Sequence, residues 1–370
     1  MLKGRLEGIG WFTYENLIRI TRNNPQHQFY FVFDRSYSTD FIFSENVTPL
    51  IINPPARHPF LYVIWFEFSL YRLINKIKPD VFYSPDGYSS LRTKVPTLLT
   101  VHDINFEHSP KDFPLIAYLY LKYFIPKFVH KAKYLSTVSE FSKKDLVEKY
   151  NVPGEKIKVI YNGVGSHFRP STEEEKAETK MNYTSSQNYF LFIGALHARK
   201  NIINQLRAFD EFKEKTSLPH KYVLVGKKMW WTKEMEETLK AMKYNKEVIF
   251  LGHADSAVLC KLYGAAEALT FVSRLEGFGI PIVEAFACGT AVITSTTSSM
   301  PEVAGDAALL SNPDNVQEIA LQMEKIATDV ELRNSLIEKG LQRAKEFNWD
   351  KSAVELENLL IQTAQKKKDE

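Results

Sequence analysis

Twelve short apolar runs, each separated from the next by a helical or polar stretch, constrain this 370-residue chain more than any other feature. In the first half they are 28–33, 49–52, 81–83, 97–101, 134–138 and 157–161; in the second, 189–193, 222–225, 248–251, 268–272, 291–293 and 307–310. Runs this short, alternating with stretches of helical period such as 202–215 and 315–347 (the latter read as two helices), are the pattern of parallel sheets covered by helices. The chain is too long for one compact core, so two such sheets are expected, one per domain. The predicted domains are 1–168 and 185–347. Between them Arg169-Pro170-Ser171-Thr172 and the acidic 173–180 read as a linker. An amphipathic closing helix within 348–370 is expected to cross back to the first domain.

Most of the runs end in a polar or glycine-bearing turn. Val101 is followed by His102-Asp103, Val138 by Ser139, Tyr161 by Asn162-Gly163, Ile193 by Gly194, Val225 by Gly226 and Val272 by Ser273-Arg274. Open parallel sheets bind ligands outside the carboxyl ends of their strands. Two Rossmann-like sheets facing each other across a cleft would gather these turns around one site. The start of the chain departs from the pattern. Gly8-Ile9-Gly10 reads as a turn opening a helix near Trp11, yet residues 1–7 carry Lys3, Arg5 and Glu7 where a buried strand would normally stand. The first domain is therefore expected to lack its first strand, or the natural sequence to begin upstream.

Three constellations can do chemistry. In Ser273-Arg274-Leu275-Glu276-Gly277-Phe278-Gly279-Ile280-Pro281-Ile282-Val283-Glu284, a glycine-bearing loop leads into a short helix from about Pro281. Gly277 and Gly279 let the backbone approach a ligand, and the helix start attracts anions. Glu276 in the loop and Glu284 in the first helical turn can accept hydrogen bonds from sugar and ribose hydroxyls. The plainer alternative is a solvated loop residue and an acid that complements the helix dipole. In Gly194-Ala195-Leu196-His197-Ala198-Arg199-Lys200-Asn201, the adjacent Arg199 and Lys200 can clamp a diphosphate, or form a solvated basic turn. His102, at a strand end, can hydrogen-bond a sugar or carry a proton, or be structural.

These motifs resemble the group 1 (family 4) glycosyltransferases, retaining enzymes of the two-Rossmann GT-B fold, and the resemblance covers nearly the whole chain. Its most specific element is Glu276, seven residues, then Glu284, within Glu-Gly-Phe-Gly-Ile-Pro…Glu-Ala-Phe-Ala-Cys-Gly. The turns at 6–11 and 225–228 are similar to the bacterial mannosyltransferase-like branch. The resemblance implies that Arg199 and Lys200 hold the donor diphosphate and stabilise the departing nucleotide. It implies that Glu284 holds the ribose, that Glu276 with Gly277, Phe278 and Gly279 holds the sugar, and that Gly194 and Gly226 line the nucleotide side. Gly8 and Gly10 would close over the phosphates, with His102, Asp103 and Ser139 on the acceptor side. The catalytic set is then His102, Arg199, Lys200 and Glu276. The expected reaction is retaining transfer of a hexose, with mannose from GDP-mannose as the specific expectation, to a glycan or lipid-linked acceptor in surface polysaccharide synthesis.

No cofactor and no metal are expected, in keeping with the lack of an Asp-x-Asp pair and of any Cys/His set at zinc spacing. The sequence has no Walker lysine loop and no Gly-x-Ser-x-Gly elbow, and Gly8-Ile9-Gly10 lacks the third glycine of a dinucleotide site. Two cysteines, Cys260 and Cys288, suit a reducing cytoplasm. Residues 1–165 hold 21 Lys and Arg against 15 Asp and Glu, whereas 166–370 hold 26 against 29. That asymmetry, with aromatic and lysine-bearing helical stretches at 59–77 and 113–133, suits peripheral contact with an anionic membrane at its inner face or a phosphate-bearing acceptor; the plainer alternative is an unevenly charged solvated surface over ordinary core helices. The basic surplus is too small and dispersed for a nucleic-acid partner. Two rival readings remain at this stage: an epimerase or hydrolase of sugar nucleotides on the same fold, and a non-catalytic nucleotide-sugar-binding subunit.

Overall fold

The computed structural model describes Leu6 and residues 8–365. The reading of residues 1–7 apart from Leu6, and of the last five residues of the closing stretch 348–370, lies outside the described residues. The chain forms two compact units, Met1–Gly163 with Asn348–Glu370, and Val164–Phe347.

The first unit carries β1 (Phe29–Phe33), β2 (Val47–Ile51), β3 (Phe82–Ser84), β4 (Thr97–Thr100), β5 (Tyr134–Thr137) and β6 (Ile157–Val159). All neighbours are parallel, but the described strands make two sheets, β1-β2 and β3-β4-β5-β6. The place of the expected opening strand falls on the undescribed start. The larger sheet is closed on one side by helix Leu115–Lys131, whose Ile125, Phe128 and Val129 pack with Leu99 and Leu135. Helix Trp349–Ala364 packs on helix Gly8–Asn23: Ser352 Oγ donates to Asn16 Oδ1 at 3.0 Å in a buried contact. Gly163 is glycine for a steric reason. A Cβ there would stand 2.4 Å from Trp349 N.

The second unit carries β7 (Tyr189–Ile193), β8 (Lys221–Val225), β9 (Val248–Gly252), β10 (Ala268–Phe271), β11 (Ala291–Ser295) and β12 (Leu309–Ser311), in the order β12-β11-β10-β7-β8-β9. Every pairing is parallel. β7, β10 and β11 are buried along their whole length, which is why they read as unbroken apolar runs.

Three local expectations are corrected. The acidic stretch after Arg169 is no linker but helix Glu173–Thr184. Thr172 Oγ1 accepts from Glu175 N, and the Glu175 carboxylate accepts from Thr172 N, so a capping box nucleates it. Gly8-Ile9-Gly10 is not a turn before a helix but the first turn of helix Gly8–Asn23, where Thr13 Oγ1 already donates back to Ile9 O. Glu284 is not in the first turn of its helix. Gly279, left-handed at φ 99°, ends the loop, so helix Ile280–Ala287 starts before Pro281 and Glu284 falls in the second turn.

Candidate active site

The site in the second unit grows from the carboxyl ends of β7, β8 and β10. Gly194 and Gly226 follow β7 and β8, and the backbones meet closely: Gly194 N donates to Val225 O at 2.9 Å and Gly226 N to Gly252 O at 2.7 Å. After Gly194 the chain makes a short 3-10 turn, Ala198–Lys200, that His197 caps by accepting from Arg199 N. This turn docks on the loop after β10. Arg274 N donates to Arg199 O at 3.0 Å, and Arg199 Nη1 donates to Leu275 O at 2.5 Å.

The docking brings three charges together. Lys200 Nζ donates to Glu276 Oε1 at 2.5 Å, and Arg199 Nη1 lies 3.3 Å from Glu276 Oε2. Lys200 also sits 4.9 Å above the centre of the Phe271 ring. Burial alone would raise the Glu276 carboxyl, but Lys200 and then Arg199 outweigh it and hold the group below the ordinary carboxylate value. Glu276 is therefore an anion, and two cations with one carboxylate leave the cluster with a net charge near +1. The loop is fixed from beneath. Glu276 N donates to Ser298 Oγ at 3.1 Å, and Ser299 Oγ donates to Glu276 O and Phe278 O at 3.0 and 2.9 Å. Phe278 is buried edge-on against Phe347. Gly277 lies between these anchored residues in the same loop.

Glu284 stands apart from those cations. Its carboxylate accepts from Tyr263 Oη at 2.7 Å. Burial pushes its carboxyl up to about 7, against the downward pull of that hydrogen bond. Tyr263 is fully buried, which makes its hydroxyl a fixed donor.

The remaining expected residues belong to the first unit. His102, just past β4, has its Nε2 at 3.0 Å from Pro85 O and its ring edge-on to Phe12. A carbonyl only accepts, so the proton is on Nε2. Burial lowers the basicity of the ring despite this bond and the nearby Asp103, so it is a neutral imidazole. Asp103 Oδ1 accepts from Asn105 N at 3.1 Å, opening the short helix Asn105–His108. Ser139 is buried and caps helix Glu140–Tyr150, its Oγ accepting from Ser142 N at 3.0 Å. Gly8 and Gly10 supply amides of a helix N-terminal turn, which intrahelical bonding leaves unpaired.

Sequence reasoning missed Tyr263, Ser298 and Ser299. The two serines stand in Thr296-Thr297-Ser298-Ser299, a hydroxyl-rich turn past β11, and the strand-end rule applied to that run would have found them. Tyr263 reads as core in any helical pattern; its signal is tertiary. Among the described residues, no group of three or more His, Cys, Asp or Glu side chains is arranged to hold a metal ion.

Comparison with known proteins gives the family of the chain. The family model "Glycosyl transferases group 1" matches residues 173–343, and "Glycosyltransferase Family 4" matches residues 13–167. The chain belongs to the group 1 glycosyltransferases. It is 28% identical over 286 residues to O-antigen chain mannosyltransferase B of Escherichia coli, covering 77% of this chain and 75% of that one. It is 34% identical over 218 residues to O-antigen chain mannosyltransferase RfbU of Salmonella typhimurium, covering 59% of this chain and 57% of the relative. Among solved structures, Anabaena HepE in complex with UDP and glucose matches at a TM-score of 0.74 with 18% identity, covering 98% of each chain. That likeness concerns the fold, two Rossmann-like units of the GT-B class.

Proposed function

We propose that this glycosyltransferase moves mannose from GDP-mannose, with retention and without a metal, to a glycan or lipid-linked acceptor in surface polysaccharide synthesis. The observation that carries the donor side is the Arg199–Glu276–Lys200 cluster: two cations fixed at strand ends with a net positive charge. A nucleotide diphosphate leaving group gains negative charge as the sugar bond breaks, and preorganised cations stabilise that charge without reorganisation. In this reading Glu276 presents the pair and holds sugar hydroxyls, Glu284 accepts from the ribose, and the backbone at 277–279 and at Gly194 and Gly226 lines the donor. Retention fits a front-face path. Glu276 is tied to two cations, which makes it a poor nucleophile for a double displacement. His102, as a neutral imidazole, suits a hydrogen bond to the transferred sugar, with Asp103 and Ser139 on the acceptor side. The two mannosyltransferase relatives support the sugar and the pathway class. We also propose work at the inner face of an anionic membrane, where lipid-linked acceptors are presented.

The test is a thermal-shift panel of GDP-, UDP-, dTDP- and ADP-linked sugars, followed by turnover with and without acceptor. A donor at about 100 times its Kd stabilises by roughly 2.7 kcal/mol, so GDP-mannose is expected to give the largest shift. A shift with UDP-glucose alone would replace the donor assignment. Rapid conversion without acceptor would favour an epimerase or hydrolase, and binding with no transfer to any acceptor pool would favour a non-catalytic subunit.

Glu284 adds a pH signature. Its carboxyl is raised to about 7, so it binds a proton below that pH and must release it to accept two ribose hydrogen bonds. Sugar nucleotides do not titrate between pH 6 and 8. Donor affinity is therefore expected to rise roughly tenfold from pH 6 to pH 8, and Glu284→Gln to flatten the profile. Calorimetry in two buffers of different ionisation heat would show proton release in the wild type only. A flat wild-type profile would remove Glu284 from the ribose.

A further inference from the structure

Among the described residues, the outer face of helix Leu115–Lys131 is left exposed. Leu115, Ile116, Leu119 and Tyr123 are 70%, 58%, 55% and 58% exposed. At 3.6 residues per turn these four positions fall within an arc of about 100°. The opposite arc carries Tyr120, Ile125, Phe128 and Val129, all buried. A helix that already has a buried face has no folding reason to carry a second apolar stripe, and large apolar side chains clustered in water mark an interaction surface. Phe60, 67% exposed, opens helix Pro59–Ile64, which packs on this helix through the contact of Tyr62 with Tyr120.

Cations border the stripe. Lys122 precedes it on one side and pairs with Glu107, and Lys127 lies on the other with its ammonium 3.2 Å from the Tyr123 ring centre. Lys131 closes the helix and is exposed. An apolar strip on one helix face, ending in an aromatic and with lysines along both margins, matches the layering of a lipid surface: acyl chains beneath, anionic headgroups at the rim. A protein partner would need a groove to receive the strip, and a second copy would bring lysines against lysines. No helix among the described residues is long and apolar enough to cross a membrane, so this one would lie along the surface.

We infer that the face formed by Leu115, Ile116, Leu119 and Tyr123, bordered by Lys122 and Lys127, docks the first unit onto an anionic bilayer surface. This rests on the peripheral location proposed above and names the surface responsible.

Co-sedimentation of the full chain with vesicles of phosphatidylglycerol and phosphatidylethanolamine, and separately of phosphatidylcholine alone, tests it. The wild type is expected to bind the anionic vesicles and to bind at least tenfold less to the neutral ones or in high salt. Leu115→Glu with Leu119→Glu is expected to lower anionic-vesicle binding at least tenfold, and Lys127→Glu with Lys131→Glu severalfold. Both double variants should keep the melting temperature and donor-induced thermal shift of the wild type, since the changed side chains are exposed. Wild-type binding that neither variant weakens would overturn the surface but leave the membrane location standing. No wild-type binding to any vesicle would overturn both. A dimer in light scattering that the Leu115/Leu119 variant dissociates would show that a second copy covers this face, and would overturn the lipid assignment.

Discussion

Replacing Lys200 with alanine is expected to cut turnover by at least ~100-fold, the usual scale for losing one preorganised donor at a site of developing charge, about 2.7 kcal/mol or more. The loss should fall on kcat rather than on KM, because the ammonium matters most when the diphosphate carries the most charge. Arg199→Ala should behave alike. Lys200 is held at 2.5 Å by Glu276 and lies over the Phe271 ring, so its position does not depend on substrate. The same geometry predicts a secondary effect. Without Lys200, Glu276 loses its largest stabilising charge while Arg199 stays at 3.3 Å, and its carboxyl moves up toward the value that burial favours. Steady-state kinetics with the identified donor, beside a thermal melt, separates chemistry from folding. Near-wild-type kcat in both single variants would end the leaving-group role.

Gly226→Ala is expected to be the most damaging small change in the second unit. Its Cβ would stand 1.9 Å from Gly194 O, a backbone atom that cannot swing aside. Either β7 and β8 part at their carboxyl ends or the strand-end turn distorts. Overpacking of this kind costs about 3 kcal/mol, which for a unit of this size lowers Tm by roughly 6–12 °C. Donor binding should suffer as well, since Arg199 and Lys200 hang from the turn that follows Gly194. Gly252→Ala is the matched control. It too is left-handed, at φ 70°, but an added Cβ there meets nothing within 4 Å. Its cost should be the local conformational strain of about 1 kcal/mol. Equal melting temperatures for the two variants would show that the glycine contact is not close in solution.

Each of the twelve apolar runs corresponds to one of β1 to β12, with no end shifted by more than two residues. That success has a physical reason: strands covered on both faces must be apolar throughout, so they announce themselves without any partner being known. What failed were local decisions between polar alternatives. The acidic residues after Thr172 looked like linker because their composition is solvated, and only the reciprocal Thr172–Glu175 bonds turn them into a helix start. The split of the described strands of the first unit into two sheets is a matter of which strands find neighbours, and no single run records it. At the site, Arg199, Lys200 and Glu276 could be named from their turns, but not their mutual pairing. The contacts span 76 residues of sequence and exist because β7 and β10 are adjacent. Tyr263 escaped for a similar reason, since its hydroxyl meets Glu284 only through the packing of two helices.

The chain leaves the first unit at Gly163 and returns to it at Asn348. Within the second unit the two ends are stitched to each other, Val164 N donating to Phe347 O at 3.2 Å. The second unit is thus a cassette whose entry and exit share one doorway, and the remainder of the protein reads as its host. A gene cut at those two points would release a piece whose termini already touch. Donor-side units of this family could then be exchanged between proteins as cassettes, leaving the host unchanged. On the function proposed above, the nucleotide preference would travel with the insert, and the acceptor with the host.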